Sequence, residues 1–314
     1  MAAPTQRSAR RRWTLLVTLV VVCAYLAVGM LAAERLSVPT RVTAMDRTPA
    51  HLGASFEAVE FRSTDDRVDL AAWLLRVAGS EAGVVLVHGI EANRSTGFDS
   101  GFVDVAVVLQ RAGYQVLLVD LRGHGASGDA RYAFGLRERY DVIAAVTYLV
   151  EEGGVRPGSV GVLGVSLGGA SALEAAAIDP RIGAVWTDSA YAEFAPVVVV
   201  SPYAASVLPT FLLPGVRLAY RMRFGIDPVR ARPVEVVPAL APLPFTIVHG
   251  RGDRLVPVAH AQLLSAAAPW ADAWIVEGAG HTEVYAADPD LYGVRLVEFF
   301  DLAFRTALAE AGRD

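Results

Sequence analysis

Val160-Gly-Val-Leu-Gly-Val-Ser-Leu-Gly-Gly169 reads as a short buried strand running into a tight glycine turn with a serine at its apex. Gly164-x-Ser166-x-Gly168 fits a nucleophile elbow, a strand-to-helix turn that strains the serine backbone and lifts its hydroxyl clear of a sheet. Glycines two residues either side are required because neighbouring backbone comes too close for a Cβ. Small residues follow in Gly169-Ala-Ser-Ala172, as a helix packed tightly under the strand requires. Alone, the pattern also fits a plain βα turn, so the rest of the chain has to decide.

A chain of 314 residues can bury a full core, and α/β sheets of this size commonly form one domain. The net charge of -5 and the lack of a large basic cluster beyond the N-terminus disfavour nucleic acid as a partner. All 28 basic residues are arginine, which removes a P-loop lysine, a Schiff-base lysine and a Ser-Lys dyad together. A single cysteine, Cys23, excludes an internal disulfide framework and a thiolate metal cluster. The six histidines are scattered without a His-Glu-x-x-His motif, so zinc is not expected.

The N-terminus differs from everything after it. A basic tail, residues 1–12 with Arg7, Arg10, Arg11 and Arg12, precedes Trp13 to Ala33, which carries no charge. Those 21 residues span about 31 Å as a helix, matching a hydrocarbon core. A secretory signal normally has a shorter apolar region, so a retained transmembrane anchor is favoured, although Leu31-Ala-Ala33 leaves cleavage open. The clustered arginines predict a cytoplasmic N-terminus and an extracytoplasmic domain, against which Arg35, Arg41 and Arg47 weigh. Residues 34–54 read as a linker, and 55–312 as the folded domain.

Phe56 to Arg62 alternates and Val68 to Val77 is apolar around Trp73, with the turn-like Ser63-Thr-Asp-Asp66 between, which predicts an antiparallel hairpin at a sheet edge. From Gly83 the pattern becomes buried apolar runs, at 84–87, 116–119, 160–165, 182–186, 245–248 and 274–276. Helical segments at 102–112, 136–151, 167–178, 257–268 and 289–309 separate or follow them. Short continuous strands alternating with helices predict a mostly parallel sheet covered on both faces. Ligands of such sheets sit beyond the carboxyl ends of the strands.

Polar residues cluster there. The run at 84–87 ends in His88-Gly89-Ile90, whose backbone amides can face the Ser166 apex and, with the amide of Leu167, form an anion hole. His88 would support that loop without titrating. The run at 116–119 ends in Asp120-Leu-Arg-Gly-His-Gly-Ala-Ser-Gly128, whose glycines formally match a dinucleotide fingerprint with Asp141 as the ribose acid. No helical period opens at those glycines, so a tight surface loop is the better reading. The run at 245–248 leads to His249-Gly250 and to Arg251-Gly-Asp253, an aspartate placed to orient a histidine; an adhesion tripeptide would need a flexible tip rather than the end of a core strand. The last run leads to Glu277-Gly-Ala-Gly-His281. Each residue has a bland alternative, yet the order Ser166, Asp253, His281 is that of a hydrolase triad, with every member at a strand end.

On these motifs, together with Asp120-x-Arg122-Gly123-x-Gly125-x-Ser127, the chain resembles the α/β-hydrolase family over about residues 55 to 310. It looks most like the compact, short-lid members, the serine aminopeptidase-like, Bem46-like and monoacylglycerol-lipase-like enzymes. The resemblance implies a cofactor-free hydrolase in which Ser166 attacks an acyl carbonyl, His281 takes its proton and Asp253 holds the imidazole, with the amides of Ile90 and Leu167 as the oxyanion hole. Ser166 rules out the dehalogenase branch, which needs an aspartate at the elbow.

The segment at about 190–240 would be the lid. Glu193 to Tyr220 is strongly apolar, but a second membrane span there would leave Ser166 on one side of the bilayer and Asp253 with His281 on the other. An apolar lid facing an acyl pocket or a membrane surface is therefore expected, with a lipid-like or otherwise apolar acyl substrate. An acyltransferase or a peptidase would use the same three residues, and a silent membrane-tethered binding module would use none of them.

Overall fold

The computed structural model describes residues 6–98, 101–195, 197 and 209–311. Eight strands form one sheet in the order β1-β2-β4-β3-β5-β6-β7-β8. These are β1 (Glu57–Arg62), β2 (Asp69–Leu75), β3 (Gly83–Val87), β4 (Gln115–Val119), β5 (Val160–Val165), β6 (Ile182–Asp188), β7 (Phe245–Gly250) and β8 (Asp272–Val276). β2 runs antiparallel to both β1 and β4, and every other pairing is parallel. The expected hairpin exists, with only β1 at the edge, because β2 is paired on both sides.

The helices that bear on the site are α1 (Gln6–Ser37), α2 (Gly101–Arg111), α3 (Glu138–Glu151), α4 (Leu167–Ala176), α5 (Leu213–Phe224), α6 (Pro233–Val236), α7 (Ala259–Ala267), α8 (Val284–Ala287) and α9 (Pro289–Ala311). Strand side chains alternate between two cores, as a sheet buried on both faces requires. Val85 and Val87 of β3 join Val142, Leu149 and Leu173 from α3 and α4, while Val84 and Leu86 join Phe102, Leu109 and Phe300 from α2 and α9. The continuous apolar runs in the sequence are thus two period-2 stripes facing opposite cores.

α1 continues past the apolar stretch to Ser37, and it is long and apolar enough to cross a membrane by length and composition. Residues after it, apart from a 3-10 turn at Pro49–Leu52, have little regular structure but are tied to the folded body. The Arg41 guanidinium donates to the carbonyls of Gly125 (2.8 Å) and Ser127 (2.6 Å) and to Asp129 (2.7 Å). Asn93 donates through Nδ2 to the carbonyls of Val42 and Ala44, both at 2.9 Å.

The glycine-rich stretch after β4 forms a turn rather than a helix start, and Asp141 is spent on an ion pair. Its carboxylate accepts from the Arg122 guanidinium at 2.8 Å and from the Arg122 amide at 3.0 Å. Arg122 also reaches Asp65 at 2.6 Å and Asp66 at 3.1 Å, fastening the β4 loop to the β1–β2 turn. Most of the apolar run from Pro196 to Leu208 lies outside the described residues. The described remainder of the 190–240 segment is built mainly of short helices, among them the 3-10 turn Thr210–Leu212, α5 and α6.

Candidate active site

Ser166 sits between β5 and α4 with φ 52° and ψ -113°, a left-handed backbone that a residue with a Cβ adopts only under constraint. The constraint is packing. A Cβ on Gly164 would lie 2.4 Å from the Gly168 carbonyl oxygen, and one on Gly168 would lie 2.2 Å from the Val87 oxygen. Only glycine lets α4 start this close to β5 and β3. The turn is also pinned from outside, where the Ser166 amide donates to the Asp188 carbonyl at the end of β6 (2.8 Å).

His281 lies on the loop between β8 and α8. Its Nε2 is 3.1 Å from Ser166 Oγ, and its Nδ1 is 2.7 Å from Asp253 Oδ2. The other Asp253 oxygen accepts from the amides of Leu255 (2.9 Å) and Val256 (2.7 Å). A buried carboxylate is costly unless it is fully bonded, and this one is. Burial acts to raise its pKa, but the hydrogen bonds from His249 and His281 outweigh that and hold it at about 2. An ionised Asp253 at neutral pH makes Nδ1 of His281 the donor, which leaves Nε2 free to accept the Ser166 proton. The Asp253 side chain is inside the protein, which removes the adhesion-tripeptide reading.

Supporting groups surround this line. Ser189 Oγ donates to Asp188 Oδ1 at 2.8 Å and accepts the Thr282 amide at 3.0 Å, so the residue after His281 is held from the end of β6. Glu283 accepts the Gly280 amide at 2.7 Å on the other side. His249 Nε2 donates to the Val256 carbonyl at 2.7 Å and lies 3.3 Å from Asp253 Oδ2. Burial opposes its charged form, but the Asp253 carboxylate and that carbonyl outweigh burial and raise its pKa. Asp188 is wholly buried and its pKa is pushed up to about 6. The sequence reading assigned none of these four a role, and their only signal was adjacency to a strand end or to His281.

The loop after β3, which carries the anion-hole candidate Ile90, passes beside the elbow. The Leu167 amide, at the first position of α4, has no acceptor within its helix. Gly89, just before Ile90, approaches so closely that a Cβ there would be 3.2 Å from Ser166 Cβ. His88 steadies the loop: Nδ1 donates to the Gly89 carbonyl at 2.7 Å and Nε2 accepts the Leu121 amide at 3.1 Å. Both ring nitrogens are thus committed to the neutral form, and burial lowers the His88 pKa to about 3. Among the described residues, no three His, Cys, Asp or Glu side chains converge to hold a metal ion.

A stability prediction follows from His88. With a folded pKa of about 3 against roughly 6.5 unfolded, the unfolded chain binds a proton that the native chain refuses between those values. The His88 contribution is whole above pH 6.5 and declines as pH falls toward 3. His124 and His260, also lowered by burial, add to the same slope. Unfolding free energies from urea titrations at pH 7 and pH 5 should differ more in the natural chain than in His88→Gln, by about 1 kcal/mol or more. Equal slopes would show that His88 does not resist protonation.

Comparison with known proteins agrees with this architecture. Residues 84–212 match the family model described as the alpha/beta hydrolase fold. The esterase Pf2001 of Pyrococcus furiosus superposes with a TM-score of 0.68 at 24% identity, covering 85% of this chain and 99% of that one. YfhR, an uncharacterized protein of Escherichia coli K12, is 23% identical over 249 residues, 78% of this chain and 80% of its own. The polyketide transferase ATR5 of Stachybotrys chlorohalonatus is 36% identical over 131 residues, 41% of this chain and 42% of its own. With an eight-stranded, mostly parallel sheet and a serine elbow after its fifth strand, the chain has the α/β-hydrolase fold.

Proposed function

We propose that this protein is a membrane-anchored serine hydrolase that cleaves an ester bearing an apolar, lipid-like acyl group. The observation that carries the reading is the unbroken line Ser166 Oγ, His281 Nε2, His281 Nδ1, Asp253 Oδ2, at 3.1 and 2.7 Å. In the proposed reaction the Ser166 oxygen bonds to the acyl carbon while its proton passes to His281 Nε2. The amides of Leu167 and Ile90 stabilise the oxyanion, each worth roughly 2.7 to 4 kcal/mol in such sites. The proton on Nε2 then leaves with the alcohol, and water, deprotonated by the same nitrogen, releases the acid.

Likeness to an esterase supports ester hydrolysis. α1 supports the anchor, with the basic tail cytoplasmic and the hydrolase extracytoplasmic. A second reading, acyl transfer to an alcohol in place of water, draws support from the similarity to a polyketide transferase.

Labelling with a fluorophosphonate should modify Ser166 and be blocked by heating the protein beforehand. On p-nitrophenyl esters, kcat/KM should rise about tenfold or more from acetate to octanoate, since each buried CH2 is worth about 0.8 kcal/mol. Rates indifferent to chain length would exclude an apolar acyl site. Product analysis with a competing alcohol separates transfer from hydrolysis.

A further inference from the structure

The geometry points to α5 and the turn before it as a second membrane-seated element, dipping beside α1 into the outer leaflet of the bilayer. This rests on the reading of α1 as an anchor. α1 and α5 pack side by side and run in the same direction: Tyr25 meets Phe211 and Gly215, Gly29 meets Gly215, and Glu34 meets Arg223. The crossing is a glycine contact. A Cβ on Gly29 would lie 2.8 Å from the Gly215 carbonyl carbon, and one on Gly215 would lie 2.8 Å from the Tyr25 ring. Close backbone approach through small residues is how helices associate in lipid, where apolar side chains gain nothing by leaving the solvent.

The register sets the depth. The uncharged stretch of α1 ends at Ala33, and Tyr25 lies eight residues earlier, about 12 Å along the helix axis. Phe211 and Gly215, bonded to Tyr25, therefore share its level inside the hydrocarbon. Charges return where the bilayer would end. Glu34 pairs with Arg223 at 3.1 Å and with Arg131 at 2.8 Å. Arg217, between these levels, points to Asp227 at 2.8 Å, and its long stem lets the guanidinium reach the interface.

Part of the polar backbone at the dipping end is paired from α1. In hydrocarbon each unpaired backbone N–H or C=O costs several kcal/mol, and a helix start exposes such groups. The Tyr25 hydroxyl donates to the Phe211 carbonyl at 2.9 Å and accepts the Gly215 amide at 3.1 Å. Pro209 and Pro214 bracket the turn and have no N–H to satisfy. Phe211 meanwhile turns a 69% exposed aromatic side chain outward, and Met222 on α5 is 73% exposed. On a water-facing lid these would be stranded, whereas beside a membrane span they continue its apolar surface.

Cys23, the chain's one cysteine, makes the test direct. The full-length protein is reconstituted in phosphatidylcholine–phosphatidylglycerol vesicles containing doxyl-labelled lipid, and a bimane probe is attached to one cysteine at a time. Native Cys23 reports the anchor. In a Cys23→Ser background, Phe211→Cys and Met222→Cys report α5, and Val294→Cys, exposed on the opposite side of the sheet, reports the aqueous body. Quenching should be several-fold stronger at 211 than at 294, with 222 between them. If Phe211→Cys fails to fold, Met222→Cys against Val294→Cys makes the comparison. Quenching at Cys23 with values at 211 and 222 no higher than at 294 would overturn the inference and leave the anchor standing. An unquenched Cys23 would overturn both.

Discussion

Ser166→Ala should abolish ester hydrolysis, lowering kcat by roughly 10^4 to 10^6-fold, the range seen when a triad nucleophile is removed. The substitution deletes the one atom that would bond to the acyl carbon and leaves the scaffold intact. The Ser166 amide still donates to the Asp188 carbonyl, and the positive φ of 52° is imposed by Gly164 and Gly168 on either residue. Oγ is lost from a residue only 7% exposed, so the change in stability should stay within about 1 kcal/mol. The measurement is kcat on a short p-nitrophenyl ester, with thermal unfolding alongside. A correctly folded variant that still turns over would remove Ser166 from the mechanism.

Asp253→Asn should cost about 10^4-fold in kcat while the protein stays folded. The reason is local and directional. Oδ1 of Asp253 is held by two amides, Leu255 and Val256, so an asparagine keeps its carbonyl oxygen there and turns its NH2 toward His281. Nδ1 of His281 must then accept, which moves the ring proton to Nε2, 3.1 Å from Ser166 Oγ. A protonated Nε2 cannot take the serine proton. Circular dichroism should show an intact fold, and fluorophosphonate labelling of Ser166 should slow in parallel with kcat. A loss below about tenfold would mean that another group orients His281.

These two variants also separate catalysis from simple binding. A binding module without chemistry would be indifferent to both, whereas an acyltransferase would lose its transfer rate as a hydrolase loses hydrolysis. Only the products distinguish the last two, because acyl-enzyme formation is common to both and the acceptor enters afterwards.

Much of the fold was legible because its signals are local. Runs such as Val84 to Val87 are apolar on both faces, which reports a strand covered on both sides before any contact is known. The elbow was legible through Gly164, since the approach that excludes a Cβ there, to Gly168 and Gly169, lies within six residues of chain, whereas Gly168 is held to glycine by Val87 and His88 at the end of β3. Boundaries moved where the caps were weak. Helix was expected from Leu136 but starts at Glu138, whose carboxylate first accepts the amides of Ala133 and Gly135 at 2.8 Å. The supporting roles of His249, Ser189 and Glu283 were not legible, because a buried polar residue beside a strand end looks the same whether its partner is a functional loop or a plain turn.

By itself the sequence determined the alternation of strands and helices, the strained serine turn, an uncharged segment long enough for a bilayer, and the chain order of three chemically matched residues. Tertiary structure decided what those residues do to one another: that His281 reaches a serine 115 positions away, that β2 pairs antiparallel with both β1 and β4, and that α1 seats against α5. The division has a physical cause. Periodicity and glycine placement are imposed by neighbours within a few residues, and so are written locally. Convergence depends on the lengths and closures of many loops acting together, and no single stretch of chain records their sum.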